Sequence, residues 1–122
     1  MLGVIVFAHG SRDPLWRSPV EAIARAIAAT APTVHTRCAY LELCDPDLPS
    51  AAAELVAQGA RRIRVMPLFF GMGKHAREDL PVLMRQLQDR YPAVVFERMA
   101  TVGEDPRFTA LLAQMALEDA AS

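Results

Sequence analysis

Two histidines, His9 and His75, and two carboxylates, Glu42 and Asp45, lie in short segments that stand out from the rest of the chain: AHGSR, YLELCDPD and PLFFGMGKHARED. Neutral imidazole nitrogen and carboxylate oxygen together suit borderline divalent ions such as cobalt, iron, nickel and zinc. A set of two or three protein ligands leaves coordination positions open, which is what metal exchange or chemistry requires. Taken singly, either histidine reads equally well as a hydrogen-bonded loop residue, so a ligand set rests on whether the segments converge. Glu42 has two readings, a solvent-facing carboxylate near a helix start or a third ligand. Asp45-Pro46-Asp47 is also what a turn before a helix looks like. His35 stands near the start of its own segment, where a structural or exposed role suffices. Cys44 reads as a small buried hydrophobe rather than a soft ligand.

The elements that must position these residues can be read from periodicity. Leu2 to Ala8 is a continuous apolar run rich in valine and isoleucine, the pattern of a strand buried on both faces. From Pro14 the spacing becomes helical, with Val20, Ile23, Ala24 and Ile27 along one stripe, and the stretch closes before Pro32. Val34 to Leu41 is extended, and Ala51 to Gln58 predicts a second helix with Gly59 past its end. Ile63 to Leu68 is a third strand, Arg77 to Arg90 a helix, Ala93 to Met99 a fourth strand and Pro106 to Leu117 a last helix. Strand and helix alternate throughout, which predicts an α/β fold: a three-layer α/β/α arrangement on a four-stranded parallel sheet. In such sheets a binding site lies outside the carboxyl ends of the strands. His9, Glu42 and the segment Phe69 to His75 all follow strands, so they converge on one edge.

Composition narrows the function classes. The chain has 122 residues, 52% of them hydrophobic, enough for one compact domain spanning 1–122 and no second. Its 13 basic and 14 acidic residues are mixed along the chain for a net charge of -1, so no global field favours nucleic acid or an anionic membrane. Cys38 and Cys44 fit no paired zinc-ligand spacing and suit a reducing compartment. The apolar start lacks a preceding basic region and meets Arg12 and Asp13 soon after, unlike a signal peptide or membrane span, so a cytoplasmic protein is expected. GMGKH lacks the first glycine of a phosphate-binding loop and has His75 where Ser or Thr would bind magnesium, which argues against nucleotide binding. The glycines Gly71 and Gly73 instead allow close backbone approach to a flat ligand, with Phe69, Phe70 and Met72 offering apolar contact. A histidine phosphatase would carry arginine where Ala8 stands, and Ser11 lacks the G-x-S-x-G elbow of a serine hydrolase.

AHGSR after the first strand, YLEL after the second and PLFFGMGKHAREDLP after the third resemble the short sirohydrochlorin chelatases of the small CbiX type. The match runs along nearly the whole chain. Its most specific part is the third segment, where Pro67, Gly71, His75, Asp79 and Pro81 keep the family's order and spacing. The resemblance implies a chelatase-like α/β domain present in one copy, hence a homodimer. It also implies insertion of cobalt into sirohydrochlorin for cobalamin biosynthesis, with ferrous iron for siroheme as the alternative. It places the metal at His9 and His75, makes His9 the proton acceptor, and puts Glu42 where only some relatives supply an acidic ligand. The tetrapyrrole would contact Asp45 and the stretch Phe70, Gly71, Met72, Gly73, Lys74 and His75. No organic cofactor is expected, because the divalent ion is itself a substrate. A non-catalytic metal or tetrapyrrole carrier would use the same residues.

The chemistry asks for a base near neutral pKa to take the pyrrole protons, which histidine supplies with little tuning. Metal and proton compete for the same imidazole, so ion delivery and proton removal are linked. Sirohydrochlorin carries many carboxylates, and Arg12, Lys74 and Arg77 lie in the segments where they could pair with them.

Overall fold

The computed structural model of the chain describes residues 1–119. The elements follow in the order β1 (Leu2–Ala8), α1 (Pro14–Thr30), β2 (His35–Tyr40), α2 (Leu48–Ala57), β3 (Arg62–Pro67), α3 (Lys74–Arg90), β4 (Val95–Arg98), a 3₁₀ turn (Val102–Glu104) and α4 (Pro106–Ala116). The strands form one parallel sheet in the order β2-β1-β3-β4. The expected α/β class and four-stranded parallel sheet are therefore what the chain adopts.

Two of the expected helix starts shift. Helix α2 begins three residues before Ala51, because the Asp47 carboxylate accepts from the Ser50 N–H at 2.9 Å and Pro49 tolerates the first turn, where its missing N–H costs nothing. Helix α3 begins at Lys74 rather than Arg77, on Gly73 as N-cap with no side-chain bond. His75 thus sits in the first turn of a helix and not in a loop. Asp13 caps α1 by accepting from the Leu15 N–H at 2.9 Å, with Pro14 at its first position.

The sheet is buried on both faces. Ile5, Phe7, Ile63 and Val65 pack with Leu48, Ala52, Leu55, Leu80 and Leu87 on the side of α2 and α3. Val6, Ala8 and Tyr40 pack with Val20 and its stripe on α1. Burying β1 on both sides explains its unbroken apolar run. Helix α4 differs from the others: none of its residues is buried, and Leu111, Met115 and Leu117 beyond it are 52%, 57% and 69% exposed.

Two glycines fix the loops at the carboxyl edge. Gly10 has φ +105°, and a Cβ there would overlap the Glu42 carbonyl oxygen, so the loop after β1 can lie against the loop after β2 only because this residue has no side chain. Gly103 donates its N–H to the Phe69 carbonyl at 2.7 Å, and a Cβ there would overlap the Phe70 backbone. The turn before α4 thereby holds the segment after β3.

Candidate functional site

A cleft of about 430 Å³ opens at the carboxyl edge between the loops after β1 and β2 and the first turns of α3. His9 follows the last residue of β1. Its wall is fixed by two backbone bonds between adjacent loops, Leu41 N–H to the Ala8 carbonyl at 2.9 Å and Glu42 N–H to the His9 carbonyl at 3.0 Å. This places His9 Nε2 3.2 Å from Glu42 Oε1, both side chains about half exposed to the cleft. His9 Nδ1 lies 3.2 Å from the Gly10 carbonyl. With the proton on Nδ1, facing that carbonyl, Nε2 is the nitrogen that can take a metal in exchange for its contact with Glu42, which stands beside it as an oxygen donor.

Across the cleft, α3 presents Lys74, His75 and Asp79, with Gly71 and Gly73 leading into it and Phe69 at the base. The space around the missing side chains of Gly71 and Gly73 is empty to 4 Å, so the backbone is open to a ligand there. Gly73 leaves the first-turn N–H groups of α3 without a side-chain acceptor, and that end of a helix favours an anion. The cleft thus offers donors for a cation on both walls and, on the α3 wall, a backbone-plus-lysine environment for carboxylates as well. Among the described residues, no three His, Cys, Asp or Glu side chains stand close enough together to hold one ion. His9 with Glu42 and His75 face each other as separate donor groups.

Several of the expected contact residues lie elsewhere. Met72 is 9% exposed and belongs to the core cluster with Ala76 and Leu80, its sulfur 3.4 Å from Arg98 Nη2, so it turns inward from a segment whose neighbours face out. Phe70 is 75% exposed and stacks at a tilt on Phe108 of α4, at 5.7 Å between ring centroids, beside the cleft rather than in it. Phe69 packs against the core, edge-on to Phe7 at 5.9 Å, while one side lines the cleft. Asp45 lines a separate depression with Arg17, Arg37 and Tyr40. Arg12 is exposed on the approach to α1 and does not line the cleft. His35 bonds Gln58 Oε1 at 2.8 Å at the opposite end of the sheet. Burial pushes the Cys38 thiol above its ordinary value and the Tyr40 hydroxyl up to about 12, and Cys44 packs in the same cluster. Neither cysteine lines the cleft. Asp79 is the cleft residue that reading by residue type did not single out. Its signal is the spacing of four from His75, which puts both on one helix face.

A family model described as CbiX matches residues 3–119. The chain is 28% identical over 116 residues to the sirohydrochlorin cobaltochelatase of Sulfolobus acidocaldarius, covering 95% of this chain and 90% of that one. It is 37% identical over 84 residues to the enzyme of the same description from Saccharolobus solfataricus, covering 69% of this chain and 64% of that one. Among solved structures, a cobalamin biosynthesis CbiX protein from Marinobacter aquaeolei superposes with a TM-score of 0.81 at 27% identity, over 99% of this chain and 98% of that one. The sirohydrochlorin chelatase SirB from Bacillus subtilis subspecies spizizenii, in complex with cobalt, matches with a TM-score of 0.77 at 25% identity over 94% of this chain. This chain spans 50% of that one.

Proposed function

Since the chain belongs to the CbiX family, we propose that it is a sirohydrochlorin cobaltochelatase, which exchanges two pyrrole protons of sirohydrochlorin for one Co²⁺. The observation that carries this reading is the His9–Glu42 pair facing His75 across an open cleft, in a chain whose relatives bear that name. In this reading His9 and His75 hold the ion, with Glu42 as an oxygen ligand, once the two walls of the cleft draw together, because as they stand no three donors among the described residues reach one ion. His9 takes a pyrrole proton once Nε2 is free, and the half-exposed Glu42 beside it offers that proton a path to solvent. Metal and tetrapyrrole are the substrates, and no organic group takes part in the exchange.

The macrocycle would lie over Gly71 and Gly73, with Lys74 and the first turn of α3 meeting its carboxylates. Asp45, Phe70 and Met72 belong to the proposed substrate-binding set by resemblance, and Arg12 by its place in the loop after β1 as a cation for the substrate carboxylates. Their positions outside the cleft wall give Arg12 and Phe70 a place at its rim, whereas Asp45 and Met72 would require the loops to move.

The chain as a single domain, residues 1–122, would work as a homodimer in the cytoplasm. The exposed apolar side of α4 at Leu111 and Met115, which a second copy would cover, supports the dimer. Two free cysteines suit a reducing compartment, and no helix of the described residues is long and apolar enough to cross a membrane.

The test is anaerobic absorbance of sirohydrochlorin with catalytic amounts of protein and either Co²⁺ or Fe²⁺, alongside His9→Ala, His75→Ala and a protein-free control. Multiple turnovers with Co²⁺, abolished in both variants, are expected. Faster turnover with Fe²⁺ would make the chain a ferrochelatase of siroheme synthesis, and one equivalent bound without turnover would make it a carrier.

A further inference from the structure

The two walls of the cleft use their donors differently. On the β1–β2 side, His9 Nε2 already faces Glu42 Oε1 at 3.2 Å, so an ion arriving there must displace an existing contact. On α3, His75 and Asp79 are exposed, line the same cleft and make no hydrogen bond or ion pair among the described residues. They are four residues apart in one helix, on the same face, where Cβ atoms are about 5–6 Å apart. Side chains on a helix lean toward its N-terminus, so the Asp79 side chain leans toward the turn that carries His75.

We propose that Asp79 and His75 together form a capture site for the hydrated divalent ion, occupied before the ion reaches His9. The inference rests on the chelatase reading and adds to it the step by which the metal is taken from water. A histidine in the first turn of a helix is a poor landing place for a cation, because the positive end of the helix and the Lys74 ammonium both oppose it. The Asp79 charge offsets that field from the next turn of the same helix. With two protein donors, the ion keeps several waters, and such a loosely held ion can be passed on. The cleft then carries two carboxylates, Asp79 at capture and Glu42 at delivery, against one ammonium.

The test is Co²⁺ titration of the full chain without tetrapyrrole, followed by the visible absorption of the bound ion, for wild type, Asp79→Asn, Asp79→Glu and His75→Ala. Asp79→Asn should weaken Co²⁺ binding by at least the roughly 10–100-fold that losing even an indirect partner of a metal ligand costs. Asp79→Glu should restore most of it, and in steady state the KM for Co²⁺ of Asp79→Asn should rise by more than kcat falls. Asp79→Asn binding Co²⁺ as tightly as wild type, or a wild type that binds none, overturns the proposal. Sirohydrochlorin insertion measured in parallel separates the two readings. Unchanged affinity in Asp79→Asn with wild-type insertion intact removes the capture site alone, whereas weakened affinity with no wild-type insertion removes the chelatase reading alone.

Discussion

Replacing Gly10 by alanine should damage both the fold and the site, and the size of the effect can be worked from the loop geometry. The residue has φ +105°, which an L side chain resists at a cost of about 1–2 kcal/mol. The new Cβ would also overlap the Glu42 carbonyl oxygen while standing 3.0 Å from its carbon and 3.3 Å from the Tyr40 Cβ. Relief requires the loop after β2 to move away, and the bonds from Leu41 N–H to Ala8 and from Glu42 N–H to His9 stretch with it. At about 1 kcal/mol each for two such bonds, the total approaches about 3–4 kcal/mol. For a domain of this size that lowers Tm by roughly 10–20 °C. Gly59→Ala is the matched control, because Gly59 has φ +96° with nothing within 4 Å of the added Cβ. It carries the backbone strain without the overlap. Thermal unfolding of both variants, followed by circular dichroism, therefore isolates the packing of one loop on the other. Sirohydrochlorin insertion should also fall about 100-fold in Gly10→Ala, the scale expected when a reacting group is displaced by about an ångström. Equal Tm shifts for the two variants would refute the reasoning.

Leu55 is fully buried, with its Cδ1 lying 3.0 Å from where a Cβ on Gly3 would stand. Leu55→Ala should cost about 2–5 kcal/mol in urea unfolding, with the remaining folded protein still binding Co²⁺. Asp105 caps α4, and its hydrogen bonds to the Arg107 side chain and backbone N–H hold its carboxyl at about 2, below the ordinary 3.8. A depressed folded value means its contribution is complete above about pH 4 and lost as the pH falls through about 2. The stability difference between wild type and Asp105→Ala should therefore be constant from pH 5 upward and shrink toward pH 2, as read from denaturant midpoints across that range.

The alternation of elements and the edge on which the cleft opens are legible in the residues alone. A strand buried on both faces must be apolar at every position, as Leu2 to Ala8 is, and an amphipathic helix must show a stripe, as α1 does. Local physics of this kind leaves a trace in single residues, and so does a chemical group such as His9 or His75. Contact between segments distant in the chain leaves no such trace. The order β2-β1-β3-β4 places the loops after β1 and β2 side by side and brings Glu42 to His9, which neither segment encodes alone. The three-residue earlier start of α3 moved His75 onto a helix face and made Asp79 its neighbour across one turn, a relation hidden while the segment was read as a loop. Residue type could not tell that Met72 faces the core while Phe70 faces solvent. Both are apolar, and the direction of each side chain is set by how the turn before α4 clamps the backbone at Phe69 and Phe70.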